Sequence, residues 1–173
     1  YYPAGSTMAT RVYGQEGSFT TNAGKDERIS ADSLNMPNGV ALDGDGNLYI
    51  ADTGNNRVLY YPAGSTTATR VYGQKSFTSN SDNDGVVSAT SLSSPNGVML
   101  DKKRNLYVAD TGNNRILYYA ASSTTATRVY GQKGNFTAND HNNGGVSAIS
   151  INYPNGGMVL DGNGGLYVAD SGN

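Results

Sequence analysis

A chain of 173 residues is long enough to bury the core of one ordinary domain, and no break in composition divides it in two. Only 15% of residues are charged and the net charge is −2, so a broad basic surface, and with it nucleic acid as a partner, is excluded. The absence of Cys removes disulfides, zinc thiolates and iron–sulfur clusters, and no apolar run nears the roughly 18 residues of a membrane-spanning helix.

In chain order, Tyr1-Tyr2 and Thr10 to Tyr13 read as two β-segments joined by a Pro-Ala-Gly-Ser turn. The chain opens there without an initiator Met, inside a repeat, and is expected to be a processed product, an excised fragment or part of something longer. A long linker follows Gln15. Four short β-segments come next: Gly39 to Leu42, Leu48 to Ala51, Arg57 to Tyr61 and Thr69 to Tyr72. Asp43-Gly44-Asp45-Gly46 and Thr53-Gly54-Asn55-Asn56 supply hairpin turns between them, because Gly and Asn accept the positive φ that tight turns require. After a linker from Gln74 to Ser94 the same series returns, with Leu48 to Tyr61 recurring almost unchanged as Leu106 to Tyr119. A third copy begins at Pro154 and carries Met158 to Leu160 and Leu166 to Ala169.

Pro-Asn-Gly at Pro37, Pro95 and Pro154 sets the period at 58 and 59 residues. Four antiparallel strands per unit, repeated, make the blade of a β-propeller. Small residues at Gly39, Val40 and Ala41 suit a crowded inner strand, and the large Tyr60, Tyr61 and Tyr72 suit the roomier outside. The chain therefore reads as a propeller segment with residues 37–74 and 95–132 as complete blades. Residues 1–15 form the C-terminal half of another, and 154–173 the N-terminal half of a last one.

The strings Pro37-Asn38-Gly39-Val40-Ala41-Leu42-Asp43 and Gly46-Asn47-Leu48-Tyr49-Ile50-Ala51-Asp52-Thr53-Gly54-Asn55-Asn56-Arg57-Val58 resemble an NHL repeat. The match returns at Pro95 to Ile116 and in part from Pro154 to Asn173. The second copy departs from it with Lys102-Lys103-Arg104 in place of the Gly-rich turn, and the third inserts a residue at Gly156-Gly157-Met158. The resemblance implies a six-bladed ring. With three repeats, the ring is expected to be completed by a homodimer or by further repeats of a longer chain.

Asp52 with Arg57, and Asp110 with Arg115, flank the turn between the second and third strands of a blade. Their recurrence reads as an ion pair or turn cap that builds the scaffold, not as catalysis. Asp43-Gly44-Asp45-Gly46-Asn47 has a calcium-loop look, but its counterpart Asp101-Lys102-Lys103-Arg104-Asn105 would repel a cation, so turn chemistry is the better reading. His141, the lone His, reads as a surface loop residue, since it cannot build a multi-His zinc site. Phe19, Phe77 and Phe136 are expected to pin one linker each onto the blade beneath.

No catalytic residue, metal ligand or cofactor is expected. The linker face would present Asn38, Asn96 and Asn155 around a channel mouth, a neutral rim suited to a protein, peptide or glycan. The leading function is thus a non-catalytic binding or scaffold module. A lyase or hydrolase with a channel metal and a self-assembling structural array are the alternatives. The low Lys content and the Thr- and Asn-rich surface suggest an extracytoplasmic or secreted bacterial setting.

Overall fold

The computed structural model describes residues 1–21 and 28–173. The described residues are all-β: two four-stranded antiparallel sheets and one two-stranded sheet, joined by linkers with single turns of 3-10 helix. The first sheet runs in the order β1 (Pro37–Leu42), β2 (Leu48–Asp52), β3 (Arg57–Tyr61) and β4 (Arg70–Tyr72). The second repeats it as β5 (Pro95–Leu100), β6 (Leu106–Asp110), β7 (Arg115–Tyr119) and β8 (Arg128–Tyr130). The third pairs β9 (Pro154–Leu160) with β10 (Leu166–Asp170).

Register explains the residue choices. In the first sheet Tyr49 faces Tyr60 and Asp52 faces Arg57, and in the second Tyr107 faces Tyr118 and Asp110 faces Arg115. β6 is buried throughout because sheets stack on both of its sides, and β2 is buried in four of its five residues because the second sheet covers one side and Tyr13, Ala31 and Leu34 cover the other, which accounts for their unbroken apolar runs. Tyr49, Val58 and Tyr72 of the first sheet form one core with Leu106, Val108, Leu117 and Tyr119 of the second. The same pattern recurs one step on, where Tyr107, Ala109 and Ile116 meet Met158, Leu160, Leu166 and Val168. Edge-to-face contact of Tyr72 with Tyr119, at 5.3 Å between ring centres, marks the first interface.

At the inner end, neighbouring first strands touch backbone to backbone. A Cβ added to Gly97 would lie 2.5 Å from Gly156 Cα, and one added to Gly39 would lie 2.6 Å from the carbonyl oxygen of Asn96. These glycines are needed for approach, not for an unusual φ, since neither Gly39 nor Gly97 has a positive one.

Two local features differ from expectation. Tyr1-Tyr2 and Thr10 to Tyr13 form no regular strand. They do pair at their start, where Thr10 N–H donates to Tyr1 O at 3.1 Å, as Thr69 does to Tyr60 and Thr127 to Tyr118. Among the described residues no second strand lies beside Tyr1-Tyr2, and without that ladder the segment stays irregular. Tyr13 nevertheless packs edge-on against Tyr61 at 5.2 Å, as Tyr72 does against Tyr119. The extra residue in the third copy is absorbed as a register shift in β9, with Gly156 at φ +75°.

Candidate functional site

The linker face of the molecule is built from the turns that follow β2 and β6 and from the segments that enter β1, β5 and β9. Each turn passes through 3-10 helix and ends on an Asn in the left-handed region, Asn56 at φ 54° and Asn114 at φ 53°, a conformation that Asn tolerates well. That conformation aims the Asn side chain at the next blade. Asn56 Oδ1 accepts from Ser94 N–H at 2.8 Å and Asn114 Oδ1 from Tyr153 N–H at 2.8 Å. Thr53 and Thr111 hydroxyls donate to the carbonyls of Pro95 and Pro154 at 2.6 and 2.7 Å. Each turn is thereby fastened to the entry of the following blade.

Beneath these turns lie the two Asp–Arg pairs, all four side chains fully buried. Arg57 Nε donates to Asp52 Oδ2 at 2.7 Å, and Arg115 Nε to Asp110 Oδ2 at 2.6 Å. The remaining guanidinium nitrogens reach outward into two linkers: Arg57 donates to the carbonyls of Phe77, Ser30 and Ser33, and Arg115 to those of Phe136, Ser88 and Ser91. Each carboxylate is also satisfied from the linker before it, Asp52 by Asn35 N–H at 2.6 Å and Asp110 by Ser93 N–H at 2.7 Å. Burial pushes the Asp52 and Asp110 carboxyls up, against the pull of their arginines. Such a closed network has no open coordination position and holds loops together.

Asn38, Asn96 and Asn155 stand at the start of β1, β5 and β9. Asn38 and Asn155 are exposed and Asn96 is half-buried. Asn96 Nδ2 donates to Asn155 Oδ1 at 2.7 Å, so these two carboxamides meet across neighbouring blades. Asn38 forms no bond to Asn96.

Asp43 spends both oxygens on its own turn, accepting from the amides of Asp45 and Asn47 and from Asn47 Nδ2, all within 2.9 Å. Asp101 does the same for its turn. His141 is exposed and bonds Asn152 Oδ1 at 2.8 Å. Among the described residues no group of three His, Asp or Glu gathers as a metal site, and no helix is long and apolar enough to cross a membrane. Phe77 and Phe136 pack against the sheets beneath, whereas Phe19 stands 60% exposed.

Sequence reasoning missed the role of Gln74 and Gln132. Gln74 Nε2 binds the carbonyls of Asn56 and Ser81, and Gln132 Nε2 those of Asn113, Asn114 and Asp140, tying turn to linker. The recurrence of Tyr-Gly-Gln after each fourth strand was the signal for it.

The NHL repeat pattern matches residues 34–61 and 92–119. The chain carries NHL repeats. The matched spans begin on the linker segment that feeds Asp52 or Asp110 and end on β3 or β7, so each contains one Asp–Arg pair and its turn. Among solved structures, the NHL chain is similar to a streptogramin B lyase, with 15% identity over 78% of this chain and 34% of that one, at a TM-score of 0.47. It is also similar to the selenomethionine-substituted virginiamycin B lyase from Staphylococcus aureus, with 11% identity over 78% of this chain and 48% of that one, at a TM-score of 0.35. The NHL chain thus spans less than half the length of either protein. No curated protein matches it.

Proposed function

We propose that this chain is a non-catalytic binding or scaffold module whose ligand, a protein, peptide or glycan, docks on the linker face around Asn38, Asn96 and Asn155. The observation that carries the reading is the 2.7 Å bond between Asn96 and Asn155. It sets equivalent carboxamides from successive blades side by side, each with donor and acceptor capacity for a hydrogen-bonding ligand. The closed Asp–Arg networks below supply a rigid platform, in which Asp52 and Asp110 are engaged by Arg57 and Arg115. Self-association, as a homodimer that completes a ring or through further repeats of the same chain, belongs to the same reading. It is supported by the apolar faces left bare on the first and third sheets.

Peptide and glycan arrays probed with the wild-type chain and with the triple variant Asn38→Ala, Asn96→Ala, Asn155→Ala test the proposal. Loss of the captured ligand in the variant is the expected result. Unchanged capture, or a stoichiometric divalent ion in the purified protein, would turn the assignment toward another face or toward a metal-dependent lyase.

A further inference from the structure

In the second sheet Leu106 with Tyr119, Val108 with Leu117 and Asp110 with Arg115 are cross-strand pairs that share one face of β6 and β7. The four apolar members close against Tyr72 and Leu92. In the third sheet, β10 repeats the β6 half of this arrangement. Leu166 and Val168 pack with Tyr130 and Ile151, the counterparts of Tyr72 and Leu92, and Asp170 follows on the same face. β10 is the edge of its sheet, with β9 on its other side. Beside it opens a cavity of about 610 Å³ walled by Tyr130, Ile151, Leu166 and Val168. Its counterpart between the first and second sheets is the space that Leu117 and Tyr119 fill. Lys133 also lies on the wall, and the preceding linker carries Lys75 at the same place, where leucine and tyrosine do fill the gap.

We propose that the edge of β10 and this cavity form a binding site for an extended peptide of the pattern Arg-x-Leu-x-Tyr, added to the sheet as a strand and anchored by its guanidinium at Asp170. The site lies apart from the proposed Asn rim and stands independently of it. An open sheet edge supplies backbone affinity, and pockets for alternate side chains supply selectivity. The polar end is already set as in the second blade. Asp170 Oδ1 accepts from Asn152 N–H at 2.7 Å, as Asp110 Oδ1 does from Ser93 N–H, and Asp170 Oδ2 accepts from Asn173 Nδ2, as Asp110 Oδ2 does from Asn113 Nδ2. Ser147 N–H donates to Ser150 Oγ at 2.8 Å, just as Ser88 N–H does to Ser91 Oγ. In the second blade this frame holds Arg115 by Asp110 Oδ2 at 2.6 Å and by the Ser91 and Ser88 carbonyls at 3.1 and 2.9 Å. Of the matching carbonyls, that of Ser147 is closed onto the amide and hydroxyl of Ser150, whereas that of Ser150, a buried residue, accepts no hydrogen bond among the described residues. Asp170 Oδ2 and Ser150 O thus offer a guanidinium two acceptors in the places where Arg115 finds Asp110 Oδ2 and Ser91 O. Alternation along the strand then sends the leucine toward Val168 and Ile151 and the tyrosine toward Leu166, edge-on to Tyr130 as Tyr119 is to Tyr72.

The test is an amide-resolved NMR titration of the 173-residue chain with a synthetic peptide of the sequence of residues 114–120, blocked at both ends. Saturable shifts are expected at Ser150, Leu166, Val168 and Asp170. The same peptide with citrulline in place of its arginine keeps the shape without the charge and should bind about tenfold more weakly. Replacing its leucine by alanine should also cost about tenfold, through lost apolar burial. Asp170→Asn is expected to weaken the arginine peptide by the same factor and to leave the citrulline peptide unchanged, a coupling that a merely loosened β10 would not produce. The peptide series on the wild-type chain keeps the test decisive if that variant does not fold. Equal binding of the arginine and citrulline peptides, equal binding of a peptide with the same residues in scrambled order, shifts centred on Asn38, Asn96 and Asn155, or no saturable shift would overturn the proposal.

Discussion

Arg57 and Arg115 each make four hydrogen bonds from a fully buried guanidinium, one to a carboxylate and three to linker carbonyls. Truncating one partner of a buried ion pair leaves the other charge uncompensated, at a cost of about 3–5 kcal/mol. Arg115→Met is therefore expected to lower urea-denaturation stability by about that amount, and Arg115→Lys not to restore it, because an ammonium cannot reproduce the planar fork. Tyr119 gives the opposite expectation. Its hydroxyl is buried without a partner, and its ionisation is pushed up by burial and by Asp110. Tyr119→Phe removes that unsatisfied group and should leave stability equal or raised by about 1 kcal/mol in the same assay. Two carboxylates differ in pH behaviour. Asp110, raised chiefly by burial, contributes most below the ordinary carboxylate range and loses that contribution as pH rises through its raised value. Asp43 is also desolvated, but the side chain and amide of Asn47, the amide of Asp45 and the charge of Arg104 outweigh burial and lower it. Its contribution is present above the ordinary range and lost as pH falls, so Asp43→Asn should cost less stability in acid than at neutral pH. The pairing of Asp52 with Arg57 was legible, since the two face each other across a short hairpin. The reach of Arg57 to Ser30, Ser33 and Phe77 was not, because it depends on where two linkers 20 to 27 residues away come to rest.

At the scale of the elements, the strands were readable because β-branched and aromatic runs alternate with Gly- and Asn-rich turns. Arg57–Tyr61 forms where it was expected, and β1 starts at Pro37, two residues before the segment read from Gly39. Those two residues join the sheet through Asp52, which faces Pro37 across a register shift. The irregular course of Tyr1-Tyr2 could not be foreseen, since a strand needs a neighbour and sequence alone does not say which neighbour is present. The contact between first strands leads to a sharp contrast between two glycines. Gly97→Ala places a methyl 2.5 Å from Gly156 Cα and 2.6 Å from its carbonyl oxygen, where only backbone could move aside. Overpacking of this kind costs about 1–3 kcal/mol. Gly44 has open space around its Cβ position and no positive φ, so Gly44→Ala should be neutral or stabilising by about 0.4–1 kcal/mol through the unfolded chain. Paired thermal and urea unfolding of the two variants measures the difference. Equal effects would mean that the inner strands do not touch as described.

For the whole molecule, the decisive feature is that the two internal interfaces specify what the two bare faces would accept. Val98 and Leu100 of β5 pack into the core between the first and second sheets, whereas their counterparts Val40 and Leu42 of β1 are 66% and 65% exposed. At the other end, Tyr107 of β6 is buried against the third sheet, but its counterpart Tyr167 of β10 is 62% exposed and the neighbouring Val159 59%. The first face is of the kind that receives a blade, and the second is of the kind that enters one. Covering them recovers about 25 cal/mol for each Å² of apolar surface. The fastening turns point the same way, since Asn56 and Asn114 grip the amides of Ser94 and Tyr153, while Met36, at the same place before β1 and also at positive φ, has no such partner among the described residues. Light scattering of the 173-residue chain is therefore expected to report two copies, with a mass that falls on dilution. Leu42→Asp should release single copies that remain folded, because Leu42 is exposed within its own chain, whereas Leu100→Asp, at the equivalent buried position, should unfold the protein. A wild-type chain that stays a single folded copy at high concentration would show that these faces are filled only by further repeats within one polypeptide.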